Sequence, residues 1–185
     1  MSIPMTATEK LIDWDAVTGE AAVILSRYVR IDSSHPRGRT VETAALFADH
    51  LADADIPYRI YESPEAGKVN LVARLSAANP RGKPLLISNH MDVVQAVAAD
   101  WRFDPYSGEI ADGYIYGRGA LDMKGMGVME LMTMLLLKRG GVDLARRERH
   151  VVLLAEQVGE AEVDELDFVV LDHLEHVFGR HGALR

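Results

Sequence analysis

The chain has 185 residues, a formal charge of −8 and no cysteine. That length fits one domain of ordinary size with a real core, and the acidic balance argues against a nucleic-acid binder, which shows a basic face. Without thiols, disulfides and thiolate metal sites are excluded, so any metal here is held by His, Asp and Glu.

The start, MSIPMTATEKLIDWD, has no apolar run after a basic stretch and does not read as a signal peptide. The longest apolar run, Val128 to Leu137, is interrupted by Glu130 and Thr133 and is too short to span a bilayer. A cytoplasmic protein with no membrane partner is expected.

Ala16 to Ile31 places Val17, Ala21, Ile24, Leu25, Tyr28 and Val29 at helical spacing. Ser33-Ser34-His35-Pro36-Arg37-Gly38 reads as a loop. Thr40 to Ala54 predicts a second helix, with Thr40 as N-cap and Ala44, Ala45, Phe47, Ala48 and Leu51 toward the core. Tyr58 to Glu62 and Val69 to Leu75 predict two strands joined by a turn at Glu65-Ala66-Gly67-Lys68. A turn at residues 79–84 leads to a short buried strand, Leu85 to Ser88. Gln95 to Gly108 reads as irregular, and Tyr114-Ile115-Tyr116 is too short to assign alone.

Lys124 to Arg139 carries the strongest helical pattern. Met126, Met129, Met132, Leu135 and Leu136 form a stripe expected to face the core, and Gly140-Gly141 ends the helix. Val151 to Ala155 predicts another buried strand, and Leu166 to Val177 a last helix. Strands alternating with helices predict an α/β three-layer sandwich around a mostly parallel sheet.

In open α/β sheets, sites gather beyond the carboxyl ends of strands. His90 and Asp92 follow one such strand. In a His-x-Asp pair the ring can bind metal through one nitrogen while the carboxylate accepts the other ring N–H; an isolated pair in a loop is also common without function. Asp122 lies where a loop turns into the Lys124 helix. Its two oxygens could bridge two cations, which such sites hold roughly 3.5–4 Å apart, or it could cap the helix. Gly117-x-Gly119 before a helix resembles a nucleotide fingerprint, but the third glycine is replaced by Asp122, whose charge would repel a pyrophosphate.

SNHMDVV (Ser88 to Val94) followed by DWRFDPYSGEIADGYIYGRGALDMKG (Asp100 to Gly125) resembles the dinuclear-zinc family of aminoacylases, acetylornithine deacetylases, succinyl-diaminopimelate desuccinylases and carboxypeptidase G. Its hallmark runs H-x-D-V-V-P, then W…P-F-x-G, then G-R-G-x-x-D-x-K-G. The similarity extends from about Ala16 to Leu154. It implies a zinc-peptidase-like catalytic domain, two zinc ions with cobalt as a substitute, and hydrolysis of N-acyl amino acids or short peptides. It implies His90 as ligand of one zinc, Asp92 as the acid that orients it and Asp122 as the bridging carboxylate.

The resemblance then breaks. The family places a Glu-Glu pair, general base then ligand, after a buried strand. Here the strand from His150 to Ala155 runs into EQVGEAEVDELD, and no Glu-Glu pair occurs anywhere. An ungapped count puts Gly159 at the base position and Glu160 at the ligand position, with Glu156 as ligand under a shifted register. Loss of a general base would cost roughly 10²–10⁴ in rate. Gln95 replaces the proline of the hallmark. Family members are longer, adding a lid or dimerisation domain and a late histidine ligand. Residues 1–185 are therefore expected to be the N-terminal portion of a catalytic domain, with an uncovered sheet edge and self-association left open. An inactive remnant that still binds metal or a partner is the alternative expectation. His173 and His176 read as a surface pair and His150 as structural, while His35, His50 and His181 show no partner in the sequence.

Overall fold

A computed structural model describes residues 12–63, 65–76, 84–141 and 151–156, with the main chain alone at Val151, Val152, Leu154 and Glu156. In chain order the elements are α1 (Trp14–Val29), α2 (Val41–Asp53), β1 (Tyr58–Glu62), β2 (Val69–Leu75), β3 (Leu85–His90), β4 (Glu109–Ala111), β5 (Tyr114–Tyr116), α3 (Lys124–Arg139) and β6 (Val151–Glu156). The expected last helix, Gly159, Glu160, and the histidines at 150, 173, 176 and 181 lie outside the described residues.

The main sheet has the order β1-β2-β6-β3. β1 and β2 are antiparallel, as their short connection requires, and β6 is antiparallel to β2 but parallel to β3. The mostly parallel sheet expected from alternation is therefore not what the described strands form. A parallel neighbour needs a long crossover, and only the β3-to-β6 connection, which contains α3, supplies one. β3 also runs two residues further than expected. Its ladder continues through Asn89 opposite Ala155 and His90 opposite Glu156, so His90 is the last strand residue rather than the start of a loop. β4 and β5 form a separate hairpin.

One core joins the three helices to alternate strand positions. Val69, Leu71, Ala73 and Leu75 of β2 and Leu153 and Ala155 of β6 are buried together with Ile24, Tyr28, Phe47, Leu51, Leu131 and Leu135. These form two layers; the third layer of the expected sandwich is not among the described residues. The rings of Tyr28 and Phe47 meet at 5.1 Å, joining α1 to α2. In α2, Leu46 is buried and Ala45 is exposed, the reverse of what the pattern suggested for Ala45.

The methionine stripe of α3 is corrected too. Met126 and Met129 are exposed, while Gly127, Val128, Leu131, Met132, Met134 and Leu135 face inward. Helical spacing shows that residues share a face but not which face meets the sheet. Thr40 does not cap α2 through its side chain. Its hydroxyl instead donates to the Val69 carbonyl at 2.9 Å and accepts the Val69 N–H at 2.8 Å. A hydroxyl can give and take at once, and here it binds the start of α2 to the start of β2.

Lys124, the first residue of α3, is fully buried. Its Nζ donates to the carbonyls of Tyr28 at 3.0 Å and Ile31 at 2.7 Å and lies 5.0 Å from the Tyr28 ring centroid. The last carbonyls of a helix lack intrahelical partners and carry the negative end of its dipole, so the ammonium closes the end of α1. Burial pushes this amine down to about 8, opposed by the charge of Asp32. Replacing Lys124 by Ala leaves a cavity and two underserved carbonyls. A loss of about 3 kcal/mol or more of unfolding free energy is expected, measured by urea denaturation at pH 7; a loss below about 1 kcal/mol would show that the contact does not anchor α1.

Candidate metal centre

His90 ends β3 and Asp122 precedes α3, and the fold brings them together: His90 Nε2 lies 3.4 Å from Asp122 Oδ1. The His90 ring is held from its other side. Its Nδ1–H donates to the main-chain carbonyl of Asp92 at 2.9 Å. With the proton on Nδ1, Nε2 presents a lone pair toward a carboxylate oxygen. Two acceptors facing one another suit a cation between them. Two ligands of a tetrahedral zinc, bonded at roughly 2.0–2.2 Å, sit about 3.4 Å apart, so the donor pair fits a divalent ion. Among the described residues no cluster of three or more His, Asp or Glu side chains is gathered for a metal.

Asp122 does not cap α3. The residue before the helix is Met123, no side-chain cap bond closes that terminus, and the Asp122 carboxylate faces His90 in an 88% exposed position. Asp92 is placed differently from the expected orienting acid. Its Oδ1 lies 3.7 Å from His90 Nδ1, beyond hydrogen-bond distance, and its main-chain carbonyl takes the ring proton instead. The carboxylate is 5% exposed, and its Oδ2 accepts from His35 Nε2 at 2.5 Å. No sequence signal pointed to His35, because the contact spans 57 residues and its loop has no periodicity.

The motif residues around this pair are accounted for by packing. The Arg118 guanidinium lies over the Trp101 ring at 5.2 Å, and the Arg118 main-chain N–H donates to the Pro105 carbonyl at 2.7 Å. This ties the Trp101–Pro105 segment to the loop that delivers Asp122. Gly119 has a φ of +83°, and a Cβ there would sit 2.6 Å from Val93 Cγ1; only glycine adopts that turn without strain. Gly127 lets α3 approach β3 closely, since a Cβ would lie 2.9 Å from Asn89 Oδ1.

Asn89, beside His90, donates from Nδ2 to Glu130 Oε2 of α3 at 2.7 Å. The strand end carrying His90 is thus bonded to the helix that follows Asp122. Burial raises the Glu130 carboxyl above the ordinary range, partly offset by the Asn89 bond. Tyr28, fully buried beneath these groups, is pushed far up by burial and then by the charges of Asp92 and Glu130, so it stays protonated. Among the described residues neither Tyr28 OH nor Asn89 Oδ1 has a hydrogen-bond partner.

Residues 86–175 match the model of Peptidase family M20/M25/M40. Over this segment the chain is similar to the M20 peptidase family. A succinyl-diaminopimelate desuccinylase of Methylorubrum populi is 40% identical over 104 residues, 54% of this chain and 26% of that protein. Aminoacylase-1 of Dictyostelium discoideum is 26% identical over 141 residues, 76% of this chain and 34% of that protein. The chain thus spans about a quarter to a third of the length of these curated relatives. Among solved structures, human carnosine dipeptidase 1 aligns with a TM-score of 0.67 and 25% identity over 95% of this chain and 40% of that one. The M20 metallo-carboxypeptidase Sso-CP2 of Sulfolobus solfataricus aligns with a TM-score of 0.61 and 26% identity over 87% of this chain and 35% of that one. The His90 and Asp122 pair lies inside the M20 segment. No helix among the described residues is long and apolar enough to cross a membrane.

Glu130 supplies a pH test of this packing. Its folded-state pKa is raised, so the folded chain keeps that proton to higher pH than the unfolded chain does. The resulting stabilisation is fully present below the unfolded value of about 4.5 and is lost as pH rises through the folded value. Glu130→Gln keeps an acceptor for Asn89 without the charge. It is expected to be more stable than the parent at pH 7 and equal to it near pH 4, by urea denaturation; an equal difference at both pH values would contradict the raised carboxyl.

Proposed function

We propose that this chain serves metal-dependent hydrolysis of amide bonds in N-acyl amino acids or short peptides, as a deacylase or exopeptidase. His90 Nε2 and Asp122 Oδ1 are its donors to a divalent ion. The observation that carries this reading is their 3.4 Å approach from separate segments, with the His90 proton held on the far nitrogen. The names of the relatives, a desuccinylase, an aminoacylase and a dipeptidase, support an amide substrate of small size.

Zinc is the ion this pair suits best, since imidazole nitrogen and carboxylate oxygen are both ordinary zinc donors and no thiolate competes; cobalt is the expected substitute. A divalent ion held there would polarise the amide carbonyl and lower the pKa of water. The chain's own contribution is orientation. The Asp92 carbonyl fixes the His90 tautomer, and the Asn89–Glu130 bond holds the strand end against α3. Glu160 is proposed as a further donor from the family pattern alone, with Glu156 as its alternative; the β3–β6 register sets the Glu156 main chain beside His90. Gly159 at the base position favours a second reading, a site that binds metal without turnover.

The test is zinc titration by calorimetry on the 185-residue chain, with His90→Ala and Asp122→Ala beside it. Each variant is expected to lose more than the 10–100-fold in affinity that removal of an outer partner brings. Zinc binding unchanged in both variants would overturn the assignment. Hydrolysis of N-acetyl and N-succinyl amino acids with zinc or cobalt then separates the two readings. Metal-dependent turnover supports the hydrolase, and His90-dependent binding with no turnover supports the metal-binding site alone.

A further inference from the structure

We propose that His35 is a positioning residue for the metal centre, acting through Asp92 on His90; the inference rests on the reading of His90 and Asp122 as metal donors. His35 touches neither donor. It reaches the nearly buried Asp92 carboxylate, donating from Nε2 to Oδ2 at 2.5 Å, while Asp92 in turn accepts the His90 ring proton on its main-chain carbonyl at 2.9 Å. A ligand imidazole whose second nitrogen is bonded to a fixed acceptor keeps one tautomer and one ring orientation.

The acceptor is fixed because residues 33–35 are bound along residues 91–93 at successive points. Ser33 Oγ donates to the Met91 carbonyl at 2.8 Å, the Val93 N–H donates to the Ser33 carbonyl at 3.2 Å, and the His35 N–H donates to the Val93 carbonyl at 3.0 Å. Ser34 and Val93 form a parallel bridge. The His35 ring completes this set as its side-chain bond, and Gly38 folds back against the ring, where a Cβ would lie 3.5 Å from Cε1.

The Asp92 carboxylate has two oxygens and two histidines near it. Oδ2 is taken by His35, and Oδ1 stands 3.7 Å from His90 Nδ1, just outside hydrogen-bond range. With the His35 bond in place the carbonyl receives the ring proton. Loss of that bond is expected to shift the Asp92 segment and, with it, the carbonyl that holds the His90 ring.

The experiment uses the 185-residue chain with zinc and cobalt as the probes. His35→Ala is expected to weaken zinc binding 10–100-fold by calorimetry and to change the visible absorption of the cobalt-loaded chain, with unchanged circular dichroism. His35→Gln, which retains an N–H donor toward Asp92, is expected to restore affinity to within about threefold of the parent, well inside that 10–100-fold loss. A readout in the metal-free chain accompanies these: the His90 ring nitrogens, followed by 15N NMR, are expected to shift in His35→Ala and not in His35→Gln. Zinc binding that depends on His90 but is equal in parent and His35→Ala overturns the inference alone. Zinc binding that does not depend on His90 overturns the metal-site reading, and the inference with it. Equal loss in His35→Ala and His35→Gln with unmoved His90 resonances also overturns it.

Discussion

The ammonium of Lys124 is the contact on which the geometry of the site depends. It lies two residues beyond Asp122, buried, and is bonded to carbonyls at the end of α1. A charge is rarely placed in a protein interior unless its hydrogen-bonding capacity is met. Here the need is met by main-chain oxygens that a helix end leaves over. The arrangement therefore serves both parties, and it fixes where α3 begins. Once that point is set, the preceding loop has little choice of path, and Asp122 is delivered to the carboxyl end of β3. Arg118 on Trp101 and the glycine turn at Gly119 confine the same loop from its other end.

His90 reaches the same place by an independent route. It is the last residue of a strand paired along its length with β6, and its neighbour Asn89 is bonded to Glu130 on α3. Strand and helix are thus tied together just below the donors. Asn89, Asp92 and Tyr28 are buried there and Glu130 is half-buried, so polar groups meet beside the apolar core. A purely apolar interface between β3 and α3 would pack as well, but it would permit sliding along the helix axis. A hydrogen bond of defined length does not.

How much of this was legible in the sequence depended on the range of the interactions involved. β1, β2 and α3 carry their own periodicity, and their bounds agree with the pattern. The direction of β6 relative to β2 depends on which neighbour it finds in space, so no local pattern could report it. The inward face of α3 is legible only in part for the same reason: Met132 and Leu135 of the stripe are buried, Met126 and Met129 are not. Val128 and Leu131, outside that stripe, are buried in their place. His90 and Asp122 were legible through long matched strings and not through their chemistry alone. Their approach to one another follows from the topology. His35 was invisible because its partner is remote in the chain and histidine before proline announces nothing.

The two donors differ in how much water surrounds them. His90 is three-quarters covered, with its ring anchored, whereas the Asp122 carboxylate stands almost wholly in solvent. If the pair holds an ion as proposed, one arm is anchored beforehand, and the other, hydrated, would have to shed that hydration and settle its rotamer on capture. In the proposed site such a division would favour ion exchange over tight retention. It would also make occupancy of the proposed centre sensitive to the ionic strength of the medium, because an exposed charge is the one that dissolved counterions screen first.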